Sequence, residues 1–197
     1  MKQTLFVVSH IFAGAELLAD TLNAHPSIQV WASGIIYDLP EKIMLLGRAD
    51  HKDHTSRAIY GDQLFYNHSF YLKPAYGFCK FIYFIDSPKP SINLMLSHRY
   101  YTSADQASRY YRFRLRRIFE MARNTPGAVV LTKDTFLAGK GLNLIEEYLD
   151  LNTPLPVLTL EPMKVKDTLL PSELESAENA FERYLYRFKS MSVRMPN

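Results

Sequence analysis

The chain has 197 residues, 47% of them hydrophobic, which is enough to bury a full core, and we expect one domain over residues 1–197. Its formal charge of +3 suits an anionic ligand without implying a nucleic-acid partner. A single cysteine excludes an internal disulfide, and we expect Cys79, which lies close to two phenylalanines, to be a buried core residue.

The apolar segments of the chain are short. None approaches the roughly 18 residues of a membrane span, and the first residues lack the apolar core of a secretory signal. We therefore expect a cytoplasmic protein with no membrane partner.

The first strand, turn and helix are predicted between Thr4 and Pro26. An apolar run over Leu5 to Val8 ends in a short turn that contains Gly14, and apolar residues at helical spacing begin at Ala15. A helix that starts directly after a strand directs free backbone N–H groups and the positive end of its dipole beyond the strand. This unit either holds a phosphate or is an ordinary first βα unit with nothing bound.

The region after the first helix has weaker patterns. Ile28 to Ala32 predicts a second strand, whereas Arg48 to Ser69 is polar and without a firm period, so we expect an excursion with one helix near Tyr60 to Phe70. His51 and His54 lie beside aspartates, but their spacing matches no zinc pattern and no thiolate supports it. The sequence favours a solvated loop there over a metal site.

A second strand-to-helix turn follows the apolar run from Lys80 to Ile85, which is typical of a parallel strand buried on both faces. The turn spans Asp86 to Pro90, and a helical pattern runs from Ser91 to Leu96 with Pro90 in its first turn. Ligands of open parallel sheets bind beyond the carboxyl ends of strands. Both turns are therefore candidate ligand sites.

The next helix is predicted by the capping box of Ser103 with Gln106 and ends near Arg123. Arginines are scattered around this helix, and no aromatic stacking motif accompanies them, which favours a solvated face with one or two anion contacts over a nucleic-acid interface. They are Arg109, Arg112, Arg114, Arg116, Arg117 and Arg123.

The rest of the chain continues the alternation of strands and helices. Ala128 to Leu131 predicts a strand, Gly141 to Leu149 a helix and Val157 to Leu160 a short strand, and a final amphipathic helix places its glutamates in water. This order predicts an α/β fold with three layers, α/β/α, and a central parallel sheet.

The order of these features resembles the sulfotransferase family, whose members move a sulfuryl group from 3′-phosphoadenosine 5′-phosphosulfate (PAPS) to a hydroxyl or amine. The family's first turn resembles Pro-Arg/Lys-Ser-Gly-Thr-Thr, followed by Leu-Leu and Asn-x-His-Pro. The matching residues here are Gly14, Leu17, Leu18, Asn23, His25 and Pro26. The family's second turn resembles Ile-Tyr-x-x-Arg-Asp-Pro-Arg, and the matching residues are Ile82, Tyr83, Pro88 and Lys89.

The resemblance covers most of residues 4–152, includes a stretch at 129–136 similar to a strand ending in Tyr-Glu-Asp-Leu, and implies a P-loop-like sulfotransferase fold. The departures fall where the nucleotide would bind. Phe12 stands at the basic position of the first turn, and Ala15 and Glu16 stand at the two hydroxyl positions. Asp86 stands at the arginine position of the second turn and would repel a phosphate unless a cation, such as Lys89, lies beside it.

The resemblance also implies the residues of a nucleotide site. In the first turn, the backbone N–H groups are the donors that remain. In the second, Leu94 stands at the family's serine position, and Ser97, with its neighbours His98 and Arg99, is a possible substitute one helical turn later. The implied nucleotide-binding residues are Ala13, Gly14, Ala15, Glu16, Asp86, Lys89 and Ser97.

For catalysis, residues 71–76 resemble a Glu-Lys-Thr-Pro-x-Tyr stretch in the branch of the family that acts on glycosaminoglycans, whose lysine contacts the transferring group. When the stretches are aligned on Pro74 and Tyr76, Lys73 lies one position after the family's lysine. The resemblance therefore suggests Lys73 as the cation on the transferring group, and the alternative is a surface lysine. His10, Glu16 and His68 are the candidate bases. No metal is needed for such a transfer.

Two functions therefore stay open. One is sulfuryl transfer from PAPS to a small-molecule or glycan acceptor. The other is a non-catalytic or re-purposed member of the fold that binds another ligand or a protein. A P-loop nucleotide kinase is disfavoured because the Gly-Lys-Ser/Thr motif that grips phosphates is absent.

Overall fold

The computed structural model describes residues 3–31, 57–64, 77, 79–156 and 169–196. The predicted strand at 157–160, the histidines at positions 51, 54 and 68, and Lys73 lie outside these residues.

The described residues form five strands and six helices. The strands are Gln3–Ser9 (β1), Ile28–Trp31 (β2), Ile59–Leu64 (β3), Lys80–Ile85 (β4) and Val129–Thr132 (β5). The helices are Ala15–Asn23 (α1), Pro88–Ser97 (α2), Ala104–Ala122 (α3), Lys133–Leu137 (α4), Leu142–Leu149 (α5) and Pro171–Lys189 (α6).

All strand pairs are parallel, and the order across the sheet is β2-β3-β1-β4-β5. The chain leaves β1 toward β2 on one side and leaves β4 toward β5 on the other, so the direction of winding reverses between β1 and β4. Ligands of open α/β sheets bind in the crevice at such a reversal. The fold therefore brings the two predicted turns together at its natural ligand site.

Helices cover both faces of the sheet. On one face Phe6, Val8 and Tyr83 pack with buried side chains of α2, α3 and α6. On the other face Val7 and Phe84 pack with side chains of α1 and α5. These two cores confirm the predicted three-layer α/β/α architecture.

The predicted helix near Tyr60 to Phe70 is wrong, because Ile59–Leu64 is a strand inserted between β2 and β1. All six of its residues are buried. Gly61, Asp62 and Gln63 break the apolar run by which a buried parallel strand is usually detected.

Several local predictions are confirmed. The Ser103 hydroxyl accepts the Gln106 N–H at the start of α3, and the glutamates of α6 are exposed. Cys79 is 8% exposed, and burial raises the pKa of its thiol to about 12. Of the described helices, none has the length and hydropathy required to cross a bilayer.

Candidate functional site

Three adjacent strands end at one place, and each delivers a chemically active side chain there. His10 follows β1, Asp86 follows β4 and Lys133 follows β5. Since β1, β4 and β5 are neighbours in the sheet, their carboxyl ends form a continuous edge. The starts of α1, α2 and α4 follow these ends after no more than five residues, so positive helix ends lie at the same edge.

The first turn is held in a defined shape. The Ala13 N–H donates to the His10 carbonyl, 3.2 Å away, and Phe12 within that turn has a φ of 59°. Gly14 caps α1 with a φ of 81°, a left-handed conformation that glycine adopts without strain. The Ala15 and Glu16 N–H groups lack acceptors within the helix, as at every helix start. The turn thus offers backbone donors to an anion.

Asp86 is the arginine position of the second turn, and it is 2% exposed. Its Oδ1 accepts the Ser87 N–H at 2.7 Å, and its Oδ2 lies 3.2 Å from Lys133 Nζ. Burial raises the pKa of this carboxyl, while Lys133 acts in the opposite direction. A phosphate near Asp86 requires a cation beside this carboxylate, and Lys133 is that cation.

The Lys133 side chain also covers the first turn. A Cβ placed on Gly14 would lie 3.2 Å from Lys133 Cε and 3.4 Å from its Nζ. The lysine side chain is 17% exposed, against 3% for that of Asp86, so Lys133 is the more accessible member of the pair. One ammonium group therefore lies between the carboxylate of the second turn and the donors of the first.

His10 joins the ends of β1 and β4. Its Nε2 accepts the Asp86 N–H at 3.0 Å, and its Nδ1 donates to the Ile11 carbonyl at 3.1 Å. The ring is 0% exposed, and burial lowers its pKa from 6.5 to about 4. At neutral pH His10 is therefore uncharged, and both of its nitrogens are occupied by the backbone.

The buried neutral state of His10 predicts a pH-dependent stability. Because the folded pKa is about 4 and the unfolded one 6.5, the unfolded chain binds a proton first as the pH falls. We expect the free energy of unfolding to drop by about 2 kcal/mol between pH 7 and pH 5 from this group alone. Urea denaturation at several pH values measures it.

The variant His10→Gln is the control, because an amide keeps an acceptor for the Asp86 N–H but does not titrate. Asp86 and the other histidines are unchanged in it, so its pH slope should be flatter than that of the parent by the same 2 kcal/mol or so. Equal slopes in the two proteins would refute the neutral, buried state assigned to His10.

Two residues of α3 donate hydrogen bonds to carbonyl groups at the ends of the strands. The Tyr111 hydroxyl donates to the Asp86 carbonyl at 2.6 Å, and its ring meets that of His10 edge-on with centroids 4.9 Å apart. Arg114 is 2% exposed and donates from Nε to the Ser9 carbonyl at 2.9 Å and from Nη2 to the Leu64 carbonyl at 2.8 Å. Arg114 therefore fixes the ends of β1 and β3 and is not part of the solvated face that we predicted.

The aromatic side chain of Phe12 forms one wall of the first turn. Its ring stacks on His98 with centroids 5.0 Å apart and meets Tyr100 edge-on at 5.4 Å. The Ser91 hydroxyl also lies 3.4 Å from the Phe12 carbonyl. Where the resemblance implies a cation, this chain has an aromatic contact between the turn and the end of α2.

The other predicted site residues are placed as follows. Ala13, Gly14 and Ala15 are buried in the turn, and Glu16 is exposed on the first turn of α1. Lys89 is exposed at the start of α2. Ser97 is the last residue of that helix, and its hydroxyl donates to the Leu94 carbonyl. Their roles in binding stay predictions.

Sequence reasoning missed Lys133 and Arg114. A signal for Lys133 existed, since it directly follows β5 at a carboxyl end, as the two recognised turns follow β1 and β4. Arg114 had none, because its five neighbouring arginines have the same chemistry and only the packing of α3 distinguishes it. Within the described ranges, no group of three or more histidine, cysteine or acidic side chains is placed to hold a metal.

Comparison with known proteins identifies the fold. No protein-family model matches the chain, and no curated protein matches it in sequence. Its structure is similar to a sulfotransferase from Alicyclobacillus acidocaldarius, with a TM-score of 0.60 and 14% identity, over 96% of this chain and 95% of that one. It is also similar to mouse sulfotransferase SULT7A1 complexed with PAP, with a TM-score of 0.52 and 14% identity, over 91% of this chain and 64% of that one. The predicted sulfotransferase fold is confirmed.

Proposed function

We propose that this chain binds PAPS at the first turn and transfers its sulfuryl group to a hydroxyl or amine of a small-molecule or glycan acceptor. The observation that carries the proposal is the position of Lys133, whose ammonium group lies 3.2 Å from Asp86 and next to Gly14. It offsets the negative charge of Asp86, which stands where the resemblance implies a basic residue.

The electrostatics of the edge support binding of a phosphate group. The ammonium group of Lys133 offsets the carboxylate of Asp86, so the pair carries no net charge, while the helix starts of α1 and α2 add partial positive charge. The N–H groups of Ala15 and Glu16 can each donate to a phosphate oxygen. PAP, present in the mouse structural neighbour, has the phosphate groups that such an edge would bind.

In the proposed transfer, the acceptor oxygen or nitrogen forms a bond to sulfur as the bond between sulfur and the 5′-phosphate oxygen breaks. The leaving nucleotide takes the bond's electron pair, and a base takes the acceptor's proton. Donors fixed beside the leaving phosphate stabilise the charge that develops there. We assign these donors to the first turn and Lys133, with Lys73 as a further predicted contact to the transferring group.

Among the candidate bases we propose Glu16. It is exposed on the first turn of α1, whereas His10 is enclosed and would lose its bond to the Asp86 N–H on taking a proton. We propose for His10 a positioning role: it fixes the distance between the two turns.

A second candidate function is nucleotide or anion binding without transfer. Phe12 favours it, because an aromatic ring stacked on His98 occupies the place of a cation that would touch the bridging oxygen. In this case the site would bind the nucleotide but no acceptor would be sulfated.

Calorimetric titration with 3′,5′-adenosine bisphosphate (PAP) tests the proposal, with adenosine 5′-monophosphate as the control ligand. We expect PAP to bind with a Kd in the micromolar range, which corresponds to a binding free energy of about −8 kcal/mol. The monophosphate should bind more weakly. No heat with either ligand and an unchanged melting temperature would contradict both candidates. PAP binding without sulfation of any acceptor in a panel of phenols, amines and glycans would favour the second.

A further inference from the structure

An open groove of about 710 Å³ lies between α3 and α6. Its basic side chains are all arginines: Arg109, Arg112, Arg116 and Arg123 from α3 and its end, and Arg183 and Arg187 from α6. Glu120 is the acidic residue among those that line it. The groove is therefore strongly positive.

Pairing with carboxylates leaves much of this charge uncompensated. Glu120 is shared by Arg116 and Arg117, at 2.9 and 2.8 Å, and Arg109 pairs with Asp105 at 2.7 Å. The groove's other arginines make no ion pair with a carboxylate in the part of the chain that the structure describes. They are Arg112, Arg123, Arg183 and Arg187.

Aromatic rings hold several guanidinium groups in place. Arg187 lies over Phe119 at 5.0 Å, and Arg183 lies over Tyr184 at 5.2 Å. Such contacts orient a guanidinium without neutralising it. Arg117 likewise lies 5.1 Å from the ring centroid of Phe113, the most exposed ring of the groove. An arginine therefore lies against one face of each aromatic ring that lines the groove, which favours a ligand held by its charge over a single-stranded nucleic acid.

Geometry and chemistry together indicate the ligand. Arg112 and Arg116 are one helical turn apart, about 6 Å, and so are Arg183 and Arg187 on the facing helix. Guanidinium groups bind tetrahedral oxyanions through pairs of N–H donors. A volume of about 710 Å³ is in the range of small-molecule sites, about 300–1,000 Å³. One ligand with several such groups would contact both helices.

We propose that this groove binds a small soluble anion with at least three phosphate groups. The site is separate from the one assigned to the nucleotide, because α3 contacts the strand ends through Tyr111 and Arg114 and lines the groove with other side chains.

Calorimetric titration with inorganic tripolyphosphate at 150 mM salt tests the proposal, with the variant Arg112→Gln/Arg183→Gln and the control Lys140→Gln/Lys189→Gln, which removes two exposed charges outside the groove. We expect micromolar binding by the parent, a loss of about tenfold in the groove variant and less than about twofold in the control. Lys133→Met should leave this affinity unchanged, which distinguishes the groove from the nucleotide site.

Equal losses in the groove variant and its control would overturn the proposal, as would the absence of binding by the parent. If an oligothymidylate or a heparin-derived oligosaccharide of the same charge bound about tenfold more tightly than tripolyphosphate, the groove would instead be assigned to nucleic acid or to a sulfated glycan. Should the double variant fail to fold, exposed Arg183→Gln alone should still weaken binding several-fold.

Discussion

Lys133→Met is expected to weaken PAP binding about a hundredfold, or roughly 2.7 kcal/mol. The substitution removes the ammonium group beside Gly14 and leaves the carboxylate of Asp86 without its partner at 3.2 Å. A phosphate group would then lose a charge-assisted contact and face an uncompensated negative charge. Calorimetric titration with PAP measures the change.

Asp86→Asn should change the affinity in the opposite direction. The amide keeps an acceptor for the Ser87 N–H but removes the negative charge and releases Lys133 to the ligand, so we expect PAP to bind about three- to tenfold more tightly. The control for Lys133→Met is Lys140→Met, which removes the same charge from an exposed lysine on the loop after α4. Weaker binding in Asp86→Asn, or equal losses in the two lysine variants, would contradict the role given to Lys133.

Arg114→Leu is expected to lower the free energy of unfolding by about 4 kcal/mol. Arg114 is buried with its charge, since burial lowers its pKa only to about 10. Its bonds to the Ser9 and Leu64 carbonyls are charge-assisted, and leucine leaves both strand ends without these donors. Urea denaturation at pH 7 measures the loss.

Arg109→Leu is the matched control on the same helix, because Arg109 is exposed and its ion pair with Asp105 is a surface one. We expect it to cost no more than about 1 kcal/mol. Comparable losses in the two variants would show that the Arg114 hydrogen bonds do not fix the strand ends.

The fold was predictable where burial leaves a simple pattern. The runs of β1 and β4 are nearly all apolar because both faces of a parallel sheet are covered, and the helical spacing in α6 reports one buried face. In β3 the same burial is imposed on Gly61, Asp62 and Gln63. No local pattern distinguishes such a strand from a polar loop, since its burial results from neighbours far away in sequence.

The site was predictable only in part, for a related reason. A turn at the end of an apolar strand is a local feature, so the turns at Gly14 and Asp86 were found. The contact between Asp86 and Lys133 joins residues 47 positions apart and depends on β4 pairing with β5. The neutral state of His10 likewise depends on its enclosure by β4 and α3, which the sequence does not encode locally.

The most direct test of the nucleotide site is a crystal structure of the protein with PAP. We predict that a phosphate group of the ligand lies within hydrogen-bond distance of Lys133 Nζ and of the Ala15 or Glu16 N–H. A ligand bound in the arginine groove between α3 and α6, with the first turn empty, would contradict the assignment.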